Sequence, residues 1–434
     1  MSIVAAWAPG SAEMDRTSYS DPATVTLVNE CTVPVRVDAD QRPDLADRYD
    51  LGGLPTTAFL TGDGDVVGGG TFVSPERLRA ALARIGGAME SLRTGRLAES
   101  PCATTASPGA ANTADTAVLD VVFASFDDEH GGFGIAPKFP LTAPIWLAID
   151  LYVEQREPQM LDRSVRTLEA MGWGPLYDEE DGGFFRCATA ADWSAPEPQK
   201  LLTTNAALLE LYLHAGEVLR QDRWFERARA VASYLDHSLS ANGSWRSSDA
   251  GGTSATLTDG NALAASAALH AAAVFQDDAL GKKAIDALER VLLSSYKPGE
   301  GVAHYAKGVR GLLTDQVAMA TANLDAWEST GNIVYRMMAE ELAHYALRTM
   351  WDPDGGGLLD RDLAADPTEP LPRTAKPFVL NCDAAVLLHR LAQAANEEMF
   401  EARAHQMLDA IGPVASAAGP LGAHYLIARR AVLR

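Results

Sequence analysis

Five glycine turns divide most of this chain into segments of similar length. The fullest is Phe126 to Pro140, F-D-D-E-H-G-G-F-G-I-A-P-K-F-P. It runs from polar residues through Gly-Gly to an aromatic and then to prolines, so it is not helical throughout. Its centre is echoed at Gly182-Gly183 (Y-D-E-E-D-G-G-F-F-R), Asn242-Gly243, Pro298 to Gly301, and Gly355-Gly356 (W-D-P-D-G-G-G-L-L-D). The intervals from Gly131 through Gly182, Gly243 and Gly301 to Gly355 are 51, 61, 58 and 54 residues. A period of that size marks a repeat architecture.

Between the turns the apolar residues follow helical spacing. Twelve helices are expected, at roughly 114–127, 141–156, 160–173, 199–219, 223–240, 259–276, 278–294, 312–330, 333–350, 380–394, 397–411 and 419–433. Short and long connections alternate, which pairs them into six hairpins. One hairpin cannot bury its own apolar face, so neighbours must pack side by side. Closing six pairs into a ring gives an (α/α)6 toroid, and leaving them open gives an α-solenoid.

The first 93 residues read differently. Strands are expected at 2–6, 33–38 and 66–72, a turn entering a strand at 54–60, a helix within 12–31, a short one at 42–49, and an amphipathic helix from Pro75 to about Arg93. This order of strands and helices is thioredoxin-like. Residues 94–114 are rich in Ala, Ser, Thr, Pro and Gly and read as a linker, which leaves 115–434 for the helical domain.

Composition narrows the function classes. The 434 residues carry a formal net charge of −22, which disfavours nucleic acid and anionic membranes as partners. No apolar run is long enough to span a bilayer, and the N-terminus lacks the basic and apolar regions of a signal peptide. Cys31, Cys102, Cys187 and Cys382 are far apart with no C-x-x-C, so neither a disulfide framework nor a zinc site is expected. Reduced thiols in a cytoplasmic protein fit this pattern.

Several stretches resemble a widespread family of uncharacterised proteins that includes the spermatogenesis-associated thioredoxin-like proteins. They are W-A-P-G-S at 7–11, V-D-A-D-Q-R-P-D at 37–44 and G-G-L-P-T-T-A-F-L at 52–60. The Phe126–Pro140 motif and D-G-G-F-F-R-C-A-T-A-A-D-W-S at 181–194 resemble the same family's toroid. The resemblance implies a mainly α protein: an (α/α)6 toroid, six-hairpin glycosidase-like, preceded by a thioredoxin-like α/β domain with a shortened start. It puts a cis-proline at Pro55. It also puts a redox elbow at Ala8 and Ser11, where the family has cysteines. Neither residue can form the thiolate that disulfide exchange needs, so a redox-inactive domain is expected.

If the ring closes, the first turns after the long connections converge on one mouth. They offer Lys138, Lys200, Asn205, Asp259, Asn261, Asp315, Gln316 and Asn381. With Asp127, Phe133 and Trp193 they form a set of acids, amides and aromatics suited to a polyhydroxylated ligand such as a small carbohydrate. Asp259 and Asp315 are equally good helix caps. Glu129 and His130 are the best acid/base pair by residue type, with Asp315 as a third catalytic candidate. Paired carboxylates would suit a glycosidase. The resemblance to sugar epimerases points instead to histidines near the mouth, where His130, His304 and His424 stand. The remaining histidines show no ligand spacing, so neither metal nor cofactor is expected. The family often has acids where this chain has Gln199 and Thr204. That departure supports an alternative, a non-catalytic scaffold whose thioredoxin-like domain docks a protein partner.

Overall fold

The computed structural model describes residues 1–93, 111–249, 256–365, 371 and 374–433. The chain separates into two compact units.

The first unit is a four-stranded sheet with helices. Its elements are β1 (Ser2–Val4), α1 (Pro9–Arg16), α2 (Pro22–Cys31), β2 (Arg36–Asp38), α3 (Pro43–Arg48), β3 (Thr56–Leu60), β4 (Val66–Gly70) and α4 (Pro75–Arg93). The sheet order is β2-β1-β3-β4, with β1 and β2 parallel and the other two pairings antiparallel. The helix expected within 12–31 is two. α1 ends at Arg16, and α2 restarts at Pro22 behind Asp21, whose carboxylate accepts the Thr24 N–H as an N-cap. Leu54–Pro55 is cis. A side chain at Gly10 would meet the Pro55 ring at 2.9 Å, so the elbow and this loop lie against each other.

Among the described residues the second unit contains twelve α-helices. They are α5 (Ala111–Phe123), α6 (Thr142–Gln155), α7 (Pro158–Gly172), α8 (Leu202–Leu219), α9 (Asp222–Tyr234), α10 (Thr258–Phe275), α11 (Asp278–Ser295), α12 (Leu313–Thr330), α13 (Ile333–Thr349), α14 (Phe378–Ala395), α15 (Glu398–Ile411) and α16 (Gly422–Val432). The even-numbered helices pack in sequence, and α16 packs back on α6, so the ring closes. Each odd-numbered helix lies outside its partner, α5 against α16. The architecture is a six-hairpin α/α toroid, not an open solenoid. Of the linker expected at 94–114, residues 94–110 lie outside the described part, and 111–114 open α5.

Sequence explains which helices go inside. α10, T-D-G-N-A-L-A-A-S-A-A-L-H-A-A-A-V-F, is apolar on nearly every side, as a helix packed on both flanks must be. Its alanines let neighbouring backbones approach. α7 instead buries one stripe, Met160, Ser164, Thr167, Leu168 and Met171, and covers the ring from outside. Five inner helices end on a left-handed residue, Arg156, Arg220, Gln276, Gly331 or Asn396, and the chain turns directly into the outer helix. The return connections are long and carry the glycine turns.

Candidate functional site

The glycine turns are short hairpins held by a repeated set of bonds. Asp127, Asp178 and Asp352 each accept the main-chain N–H groups two and three residues on. The second oxygen of each binds a lysine lying before the next inner helix. Lys138 Nζ stands 2.5 Å from Asp127, Lys200 Nζ 2.7 Å from Asp178, and Lys376 Nζ 2.6 Å from Asp352. Lys138 is wholly buried. Burial alone would raise the Asp127 carboxyl, but Lys138 and the two N–H groups reverse that and hold it at about 2.

A second clamp comes from the helix side. Asn205 accepts the Phe184 N–H and donates to the Phe184 and Leu201 carbonyls. Asn261 does the same at Trp245, Gln316 at Val302, and Asn381 at Leu358. All four amides are buried. Asp127, Lys138, Lys200, Asn205, Asn261, Gln316 and Asn381 are therefore placed in hairpin locks, their hydrogen-bonding groups turned to the protein. An amide that closes a loop onto a helix and an amide that faces a ligand look alike in sequence.

The remaining expected residues fall in two places. Glu129 and His130 line an outer groove against α7, with His130 Nδ1 3.4 Å from Asp127 Oδ2. Trp193 is buried beneath it, donating from Nε1 to the His130 carbonyl at 3.0 Å, and Lys138 lies over its ring. Phe133 packs edge-on against Phe126 in the core. Asp315 is elsewhere, fully buried in the first turn of α12 and 2.8 Å from His304 Nδ1. The fold thus does not join Glu129, His130 and Asp315 into one catalytic set. It does join Asp315, His304 and Asp259, whose oxygen lies 3.9 Å from the same Nδ1. These three, from separate segments, put one potential ligand atom each within 4.8 Å of one another. The absence of a metal-binding spacing in the sequence gave no sign of this grouping.

The axis of the ring holds a cavity of about 680 Å³ lined by α6, α8, α10, α12 and α14. Trp146, Glu210, His270, Asp325, Glu328 and Arg390 are on its wall. The His270 ring is held between Glu210 at 2.7 Å and Glu217 at 3.1 Å. The bond to Glu210, with the second carboxylate, outweighs burial and raises its pKa to about 9, so the ring is cationic at neutral pH. Arg390 bridges Asp325 at 2.6 Å and Glu328 at 2.9 Å. Trp146 stacks on His214, with centroids 3.8 Å apart, and His214 bonds Asp150 at 2.9 Å. His424, one of the expected mouth histidines, pairs with the wall residue Asp383 at 3.6 Å. Apart from His424, none of these groups was singled out as an acid/base candidate from sequence. The available signal was a charged residue in the middle of an inner helix otherwise apolar all round.

At the elbow of the first unit, Ala8 precedes α1, and the buried Ser11 Oγ accepts the Ala5 N–H at 3.2 Å. A hydroxyl has taken a structural place where the related pattern has sulfur.

Residues 1–93 match the family model described as "Protein of unknown function, DUF255". The chain is 27% identical over 258 residues to spermatogenesis-associated protein 20 from Homo sapiens, covering 52% of this chain and 33% of that protein. An alignment that long reaches past residue 93 into the toroid. The chain spans about a third of the length of the curated relatives it matches first. It is also 31% identical over 88 residues to D-mannose isomerase from Thermobifida fusca, covering 20% of each. Among solved structures, cellobiose 2-epimerase from Bacillus thermoamylovorans B4167 superposes with a TM-score of 0.58 at 13% identity, covering 69% of this chain and 84% of that one. At that identity the likeness speaks to the fold. The chain is a DUF255 thioredoxin-like domain joined to a six-hairpin α/α toroid, and it resembles the family that includes spermatogenesis-associated protein 20.

Proposed function

We propose that the toroid binds a small carbohydrate in its axial cavity, and that the thioredoxin-like domain takes no part in redox chemistry. One observation carries this reading. Charged and aromatic groups from five inner helices meet around one concave volume. These charged side chains are partly exposed to the cavity, so a polar ligand can reach them. Carboxylates accept from hydroxyls, Arg390 donates to them, and the Trp146 ring offers a flat apolar face. His270 is protonated at neutral pH and adjoins two carboxylates, so an acid and a base stand side by side, as proton transfer at a sugar carbon requires. An isomerase- or epimerase-like reaction follows from this, and the likeness to D-mannose isomerase and cellobiose 2-epimerase supports it.

Calorimetric titration with mannose, glucose and cellobiose tests the binding. The expected result is saturable heat at millimolar sugar, lost in Glu210→Gln and His270→Asn. The catalytic step is read by proton NMR, as exchange of the C2 hydrogen in deuterated water. Absence of heat for every sugar, with the protein folded, would overturn the reading.

A second reading rests on Ala8 and Ser11: without thiols at the elbow, the first domain serves as a docking surface for a protein partner. An insulin-reduction assay is expected to show no activity above background. Free thiols at Cys31, Cys187 and Cys382 fit a reducing compartment, the cytoplasm. No helix among the described residues is long and apolar enough to cross a membrane.

A further inference from the structure

We infer that Asp259, His304 and Asp315 form a binding site for a divalent transition-metal ion. The three donors come from rigid parts of the toroid. Asp259 is the second residue of α10 and Asp315 the third of α12. His304 follows the short strand Gly301–Val302, and its main chain is fixed on both sides: its N–H donates to the Val309 carbonyl, and its carbonyl accepts the Thr258 N–H. A single imidazole nitrogen, Nδ1, faces both carboxylates, at 2.8 Å from Asp315 and 3.9 Å from Asp259.

A second observation points to a ligand. Asp315 is fully buried, and among the described residues its Oδ2 has no hydrogen-bond partner. A buried carboxylate oxygen left unpaired is costly and calls for an ion. Helix capping does not explain the residue, because Asp315 lies inside α12 and no side chain caps that helix. The charges also balance. Two carboxylates and a neutral imidazole carry −2, which a divalent cation neutralises. One nitrogen and two oxygens, without sulfur, suit zinc or manganese.

The inference does not depend on the carbohydrate reading, and its test involves no sugar. The full chain is stripped with a chelator and titrated with Zn²⁺ and with Mn²⁺ by calorimetry. Thermal unfolding is followed in parallel. One ion per chain and a rise in Tm are expected. Asp259→Asn, at a partly exposed position, is expected to weaken the affinity at least about tenfold and Asp315→Asn to abolish it. A Cys31→Ser control is expected to bind as the parent does. No binding to the parent chain overturns the inference. So does binding of unchanged affinity in Asp259→Asn and Asp315→Asn alike.

Discussion

Asn381 shows how one side chain fixes a repeat. Its amide satisfies both main-chain groups of Leu358 and the Pro377 carbonyl, all in the interior. Replacing it with leucine keeps the volume but leaves those groups unpaired. Asn381→Leu is expected to destabilise the fold by about 3 kcal/mol, measured by denaturant unfolding. Lys138 is a second such residue. Lys138→Met strands the Asp127 carboxylate and is expected to cost roughly 3 kcal/mol near neutral pH. Asp127 has its pKa lowered to about 2, so its contribution is present above the ordinary carboxylate pKa and fades as pH falls through about 2. The gap between parent and variant is therefore expected to narrow in acid. His270 has the opposite sign. Its pKa is raised to about 9, so its contribution is complete below the ordinary imidazole pKa and lost as pH climbs through about 9. Tm measured against pH for the parent and for His270→Asn is expected to converge on the alkaline side. At this scale the sequence showed the residue types of the first turns, but not their direction. Asn205, Asn261 and Asn381 were visible as amides in first turns, and whether they faced a loop or a cavity depended on helix rotation. The cavity residues were harder to see, because Glu210 in A-L-L-E-L or His270 in A-L-H-A-A reads equally well as the solvent side of a helix.

Gly132 shows why the elements begin where they do. Its φ is +77°, and a side chain there would meet the Trp193 ring at 2.4 Å. The turn needs both the left-handed backbone and the empty space. Gly132→Ala is expected to cost roughly 2–4 kcal/mol, from backbone strain together with overpacking, and to shift the unfolding midpoint. Twelve helices were legible because each carries an apolar pattern bounded by a turn. The boundaries that moved did so for local reasons. Asp21 with Pro22 split the helix expected within 12–31, and α8 starts three residues later than the pattern at 199, because Gln199 and Lys200 serve the preceding hairpins. The pairing of hairpin to helix, Phe184 with Asn205 or Leu358 with Asn381, was not legible, since no local rule links residues more than twenty apart.

Closure is a property of the whole ring. The hairpin count made a toroid or a solenoid possible, and the packing of α16 on α6 decides for the toroid. Closure also creates the axial cavity, because inner helices that meet all round leave a volume that no single hairpin has. The side chains that reach it come from five helices spread over most of the second unit. The central claim is that this cavity, and not the hairpin mouth, receives a carbohydrate. The most direct test is a crystal structure after soaking with mannose or cellobiose. The account predicts ligand density inside the ring, within hydrogen-bonding distance of His270, Glu210 or Arg390. Density confined to the groove beside Glu129 and His130, or an axial cavity that stays empty at saturating sugar, would contradict it.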